Sequence, residues 1–438
     1  MIIGKYTSPT EDLSIVDFGD KRLTQRLKKS TEERQNSVGK TRSSAKGFYR
    51  LLGNEKFDKT KIEAAAQQAT IERVSNFTKI LLVQDSVEIN LHGHKKTKGL
   101  GYSSELVKGI NVHHCLAFSV DGLPLGLLSQ SYSTRPEARS ELSKYERSRR
   151  PIEEKESYWW IETLQKSMKL IPDGTQAITV CDREGDIFEL YAQVQKLCGD
   201  FVIRIAQNRK TETNSKIFER IRNSATLGTV TLKIPRDSAK NRKARTAVMA
   251  VCACSVRISK KKNSVPLNIV RIVETSQTDG SIEWILATSL AIENADDVMM
   301  AVEYYVQRWK IERFHYVLKS GCKVEEIQQR TYERILPVIL ICSLIANFIL
   351  ALNYFARISP NAPCDLFFEV DEWQMLYRFA KRTKTPPAKP YSLAEAIALI
   401  GILGVGKRAP SDGDVGVKAI WIGLKNFYFS LELFVGQV

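Results

Sequence analysis

An α/β fold with helical flanks is predicted by three observations. Between positions 79 and 205, short apolar runs rich in β-branched residues alternate with stretches of helical period. From 210 to 289 only strand-like runs occur, and from 296 onward only helical ones. Two of the apolar runs, at 80–83 and 177–181, lead straight into an aspartate, Asp85 and Asp182. The chain has 438 residues, enough for two or three domains and a sizeable core.

The first 65 residues are basic. DFGDKRLTQRLKK at 17–29 carries Leu23 and Leu27 at helical spacing, and TRSSAKGFYRLL at 41–52 has serines able to cap a helix. With Arg26, Lys46 and Arg50 on these helices, residues 1–65 are expected to form a small helical DNA-binding domain. A solvated pair of basic helices is the other reading, and no helix-turn-helix pattern decides between them.

From Lys79 the pattern is that of strands. ILLV at 80–83 places Asp85 late in a buried strand or just beyond its apolar part. Strands at 112–120 and 123–132 flank Asp121-Gly122, a hairpin signal. The charged section 135–156 reads as a surface excursion. A helix at 158–170, a strand at 177–181, a helix at 187–197 and a strand at 201–205 follow. Three strands, a helix, a strand, a helix and a strand is the order of a ribonuclease-H-like domain, its first three strands antiparallel and later ones joined through helical crossovers. In that arrangement the first and fourth strands are neighbours, so Asp85 and Asp182 would lie side by side.

Strands at 229–234, 247–258, 265–273 and 282–287, with strongly basic turns at 236–245 and 260–262, read as a β insertion over 206–290. Its loops would face phosphate. An amphipathic helix starting near Asp296 continues through YVQRWKIERFHYVLK at 305–319. At 3.6 residues per turn, Tyr305, Arg308, Glu312 and Lys319 fall within roughly 60° of one another, with an apolar side opposite. That stripe is either an acid held between bases for a purpose or a solvated charged face. The apolar run 335–352 approaches the length of a membrane span, but Pro337, Ser343 and Asn347 interrupt it, and a buried core helix closing a domain over 66–357 is expected. Residues 358–438 are expected to form a helical C-terminal domain. Helices are predicted at 371–382, 392–399 and 417–434; the last has an apolar face suited to a local core or a dimer seam.

The net charge of +16, spread along the chain, points to a polyanion, nucleic acid before a membrane surface. Eight cysteines without a CxxC pair exclude a zinc framework and suit a reducing, cytoplasmic setting. No secretory leader is visible in MIIGKYTSPTED. His92 and His94 with His113 and His114 could form a zinc site if their strands adjoin; histidines without a metal are the alternative. His315, one helical turn past Glu312, reads as lying behind the acid or on the surface.

Phosphodiester hydrolysis and transfer need an activated oxygen nucleophile and relief of charge on the leaving oxygen. Two divalent ions about 4 Å apart supply both, and hard ions prefer carboxylates. Asp85, Asp182 and Glu312 are the acids this topology would gather. At this point the residues resemble a family. The spacing Tyr305, Arg308, Glu312, Lys319, with VCDREGD at 180–186, VQDS at 83–86, EKES at 154–157, EWQ at 372–374 and GKR at 406–408, is similar to the DDE transposases of bacterial insertion sequences. The similarity is to the insertion-sequence-four family and its Tn-five-like group. Gly185 and Phe188 depart from that pattern, where alanine and histidine are common, without removing a ligand.

The resemblance implies cut-and-paste transposition: hydrolysis at the transposon end, a hairpin, its opening, and strand transfer. It implies that Asp85, Asp182 and Glu312 hold two Mg2+ ions, with Mn2+ able to substitute. Tyr305, Arg308 and Lys319 would hold phosphates and Trp284 would stack on a flipped base. Arg204 would stand near the active site and Lys407 would touch DNA. Partners would be the terminal inverted repeats and target DNA, with a homodimer on DNA, a nucleoid-associated cytoplasmic setting and no membrane. A catalytically inactive DNA-binding regulator and a structure-specific nuclease of the same fold are the alternatives.

Overall fold

The structure, a computed structural model, describes residues 58–136, 146, 150–234, 243–260, 262–276, 281–406 and 414–435. Arg26, Lys46, Arg50, Lys407 and most of the basic turn 236–245 lie outside the described residues, as does the expected N-terminal domain up to residue 57. The first described helix, α1 (Lys59–Val74), crosses the boundary expected at 65 and packs on the sheet.

The fold is mixed α/β around a nine-stranded sheet. Its strands are β1 (Lys79–Asn90), β2 (Gly109–Ser119), β3 (Pro124–Ser133), β4 (Gln176–Cys181), β5 (Asp200–Arg204), β6 (Thr226–Ile234), β7 (Arg245–Lys260), β8 (Asn263–Glu274) and β9 (Glu283–Thr288). They lie in the order β3-β2-β1-β4-β5-β9-β8-β7-β6. The hairpin signal is realised: β1, β2 and β3 are antiparallel neighbours, with Gly122 at φ +85° in the turn before β3. On the other side β1 pairs parallel with β4, from Lys79 opposite Gln176 to Val83 opposite Val180. Crossovers through α2 (Tyr158–Met168) and α3 (Phe188–Lys196) make the parallel pairs, and a short α4 (Ile217–Arg222) precedes β6. The strands in the expected β insertion continue the same sheet, because β9 pairs antiparallel with β5.

Alternation along the strands decides which helix covers which face. Ser129 and Ser131 of β3 meet Ser167 and Glu162 of α2, whereas Tyr132 bonds to Leu336 in α7 (Tyr332–Ile358) on the opposite face. Helix α7 is long and apolar enough to cross a membrane, yet 78% of its most apolar window is buried inside the protein. It is the core helix anticipated for 335–352.

The long amphipathic helix expected to reach 319 is broken. Helix α5 (Ala295–Val306) ends in a tight turn where Lys310 N–H bonds to Gln307 O and Ile311 N–H to Arg308 O. Helix α6 (Trp309–Tyr316) then passes into a π turn over Val317–Gly321. Overwinding followed by underwinding shifts side chains off the simple helical wheel. Tyr305, in the last turn of α5, is 1% exposed, in the core rather than on an open stripe.

After α7 come α8 (Val370–Lys381), α9 (Leu393–Val405) and α10 (Val417–Val435). The apolar face of α10, including Ile420, Leu424 and Phe427, is spent on a local core. Helices α9 and α10 approach closely through glycines: a Cβ on Gly423 would meet the Ile400 carbonyl oxygen at 1.9 Å, whereas one on Gly416 meets nothing within 4 Å. Backbone cannot yield as a side chain does. Gly423→Ala is expected to lower unfolding stability by roughly 2–3 kcal/mol, read as a lower urea midpoint, with Gly416→Ala nearly neutral.

Candidate active site

Asp85 stands two residues past the last residue of β1 paired with β4, and Asp182 stands just beyond β4. The register thus sets the two carboxylates at the same sheet end. Asp182 caps the short turn Arg183–Gly185, accepting from Glu184 N–H at 2.8 Å. Asp85 accepts from Ser86 N–H at 2.8 Å, and its side chain is only 14% exposed. Its cross-strand partner is His114, so Asp85 points to the face that α6 covers.

The third acid reaches them through an arginine. Arg308, 6% exposed, donates from Nη1 to Asp85 Oδ2 at 3.3 Å and from Nη2 to Glu312 Oε1 at 2.6 Å. Its Nε is buried with no hydrogen-bond partner. Tyr305 and Trp309 lie beside the guanidinium, at 5.9 and 5.3 Å from ring centroids, a cation–π arrangement. Burial, followed by the Asp182 charge, pushes Asp85 up to about 7, against the pull of Arg308. One guanidinium does not offset three carboxylates, so the site carries an excess of negative charge.

The donor set suits a hard divalent cation: oxygen only, anionic and partly desolvated. Among the described residues, no three acids, histidines or cysteines stand close enough to close on one ion. The Arg308 guanidinium spans the gap from Asp85 to Glu312.

The other predicted residues divide. Lys319, in the π turn, donates to Glu88 O at 3.0 Å and pairs with Glu325 at 3.0 Å, along β1 from Asp85. Trp284 on β9 is half-buried and meets Tyr305 edge-on at 5.4 Å, so it is partly a core aromatic. Arg204 ends β5, paired through the backbone with Leu286. The histidines do not gather into a metal site among the described residues: His94 bonds to Glu325 O, and His113 to Ser86 and Gln84.

A cleft of about 600 Å³ beside the Asp182 turn was not foreseen. Its floor is Asp186, whose carboxylate accepts from Tyr191 OH and from Ala206 and Gln207 N–H at 2.7 Å each, and from Arg209. Arg183, Lys210, Lys155 and Lys260 line it as well, outnumbering Glu184 and Glu189, the latter paired with Lys260 at 2.7 Å. The one signal in sequence was a second acid, Asp186, next to an apolar pair; a buried acid needs a cation.

Fold and site thus define an α/β protein with a carboxylate centre at one end of its sheet. Residues 161–348 match the family model of the transposase DDE domain, and residues 344–434 that of the transposase Tn5 dimerisation domain. The chain belongs to the DDE transposases of the Tn5-like type, a family of DNA transposases. Among solved structures it is similar to a piggyBac transposase synaptic complex with hairpin DNA, at 11% identity and a TM-score of 0.39. That alignment covers 77% of this chain and 66% of the other, so the chain spans just under two thirds of that relative's length.

The raised Asp85 value has a consequence for stability. A carboxyl whose folded pKa lies above its unfolded value stabilises the fold only while protonated, so the contribution is full below about pH 4 and is lost as pH rises through about 7. In chelator, Asp85→Asn is expected to melt several degrees above wild type at pH 8. The advantage should shrink at pH 5 and vanish below about pH 4, followed by circular dichroism melts.

Proposed function

We propose that this protein cuts and joins DNA by cut-and-paste transposition, with Asp85, Asp182 and Glu312 as the holders of two Mg2+ ions. The observation that carries this is the buried Arg308 paired with both Asp85 of β1 and Glu312 of α6, with Asp182 at the end of β4 close enough for its charge to act on Asp85. Bound ions would activate the attacking oxygen and stabilise the leaving one. Mn2+ has the same ligand preference and would substitute.

The protein's own groups do the rest. Arg308 bridges two of the acids and would present its positive charge beside a phosphate drawn to them. Lys319 presents a second positive charge further along β1. Tyr305 packs behind Trp284, giving that indole a firm backing for a base turned out of the duplex; stacking of that kind contributes about 1–3 kcal/mol. The basic cleft beside Asp182 continues the path for phosphates, with Arg204 at the end of the neighbouring strand.

The strand order β3-β2-β1-β4-β5 supports a ribonuclease-H-like core over 66–357, extended by the strands of 206–290. The match to a dimerisation domain supports pairing of two subunits on two inverted repeats through residues 358–438. Residues 1–65 and Lys407 would add contacts to the ends, and target DNA would be the acceptor.

Magnesium-dependent cleavage of DNA carrying the native flanks of the gene tests this. Hairpinned or excised ends should form with wild type and fall below detection in Asp85→Ala, Asp182→Ala and Glu312→Ala, with DNA affinity retained. Cleavage that persists in the variants would overturn the acid assignment, and binding without cleavage would favour a regulator. Cleavage without joining to a target would favour a nuclease. Lys319→Ala should weaken end binding and reduce the slope of log affinity against log salt by about one.

A further inference from the structure

The two histidines left without a role by the carboxylate centre meet each other. His114 on β2 lies directly opposite Asp85, and His315 lies on α6 three residues after Glu312. Both are buried, and His114 Nδ1 stands 3.1 Å from His315 Nε2. On its far side His114 Nε2 stands 3.2 Å from Ser343 Oγ in α7, and that hydroxyl donates to Ile339 O at 2.9 Å.

These contacts set the protons. Ser343 has one hydrogen and gives it to Ile339 O, so it accepts from His114 Nε2–H. A neutral imidazole carries a single proton, so in this arrangement His114 Nδ1 accepts and His315 Nε2–H donates. Burial holds both rings neutral, and Lys319 and Arg308 disfavour a charge on His315. Phe314 packs edge-on to His114 at 5.0 Å and keeps the link dry.

The rest of the underside of α6 and of the π turn after it is apolar, with Ile311 and Phe314 of the helix and Val317 and Leu318 of the turn all buried. Apolar contact is non-directional and tolerates a small slide or rotation of a helix. A hydrogen bond fixes distance and angle. The one between His315 and His114 ties the helix that bears Glu312 to the residue beside Asp85.

We propose that the His315–His114 hydrogen bond positions Glu312 relative to Asp85 for uptake of a divalent cation, an inference that rests on the reading of these acids as cation holders. Both histidines act as positioning residues, since neither has to touch the ion. Groups of this kind set ligand geometry, and losing one typically costs about 10- to 100-fold in metal affinity.

The test is Mn2+ affinity of the full chain, measured by loss of the free-Mn2+ magnetic resonance signal, with cleavage as a second readout. His315→Phe keeps an aromatic ring and removes the donor; it should weaken Mn2+ binding about 10- to 100-fold with DNA affinity unchanged. His315→Gln offers an amide N–H near the place of Nε2 and should restore most of the loss. Ser343→Ala cuts the far end of the chain but leaves His114 Nδ1 and His315 Nε2 in place; it should lower the melting temperature and cost Mn2+ affinity far less than His315→Phe does. If His315→Phe does not fold, His315→Met carries the same comparison.

Wild-type Mn2+ affinity in His315→Phe would overturn the proposal. So would an equal loss in Ser343→Ala, which would mark a general loosening, or no recovery in His315→Gln. Asp85→Ala and Glu312→Ala, measured alongside, separate the two levels. Wild-type Mn2+ affinity in these variants would bring down the cation-holding assignment itself and the histidine proposal with it. If they lose the ion while His315→Phe keeps it, the histidine proposal alone falls.

Discussion

The parallel pairing of β1 with β4 is the constraint on which the site depends. Both strands are apolar along the paired stretch and covered on both faces, as parallel strands require. Their register puts each chain's first strong charge past the apolar run, at the same end of the sheet. Two carboxylates forced together in this way repel, and burial removes the water that would screen them. Asp85 shows the cost in its raised pKa.

Much of what surrounds the acids answers that charge. Arg308 lies in the tight turn between α5 and α6, where a continuous helix would have carried it past the sheet at a different angle. From there one guanidinium reaches Asp85 and Glu312 together. Tyr305, in the last turn of α5, packs against Trp284, which links the α6 end of the site to β9. The extension of the sheet through β9 is what brings that tryptophan within reach at all.

On the β5 side, Asp186 performs a different task with the same chemistry. Its carboxylate is fully enclosed and answered by Arg209, a tyrosine and two backbone N–H groups, so it builds the wall of a basic cleft rather than binding anything itself. Two aspartates four residues apart in sequence thus take opposite roles. Asp182 faces the open sheet end, and Asp186 faces inward.

The strands, the β2–β3 hairpin, the core helix at 335–352 and the spacing from Tyr305 to Lys319 were all legible in the chain, because period and turn chemistry are local. So was the prospect of Asp85 beside Asp182, since the order of strands and helices restricts the topology. The break after Val306 and the π turn after Tyr316 were not, because a helical wheel assumes uniform winding and tertiary packing sets the actual winding. The continuation of the sheet through β9 depends on backbone pairing between strands about 80 residues apart, which side-chain pattern does not report. The pairings of His114 with His315 and of Asp186 with Arg209 depend on which faces meet, and they exist only once the sheet and helices have closed on each other. Sequence by itself determined which residues could carry the chemistry; tertiary structure decided which are held in the site, which support it and which are spent on the core.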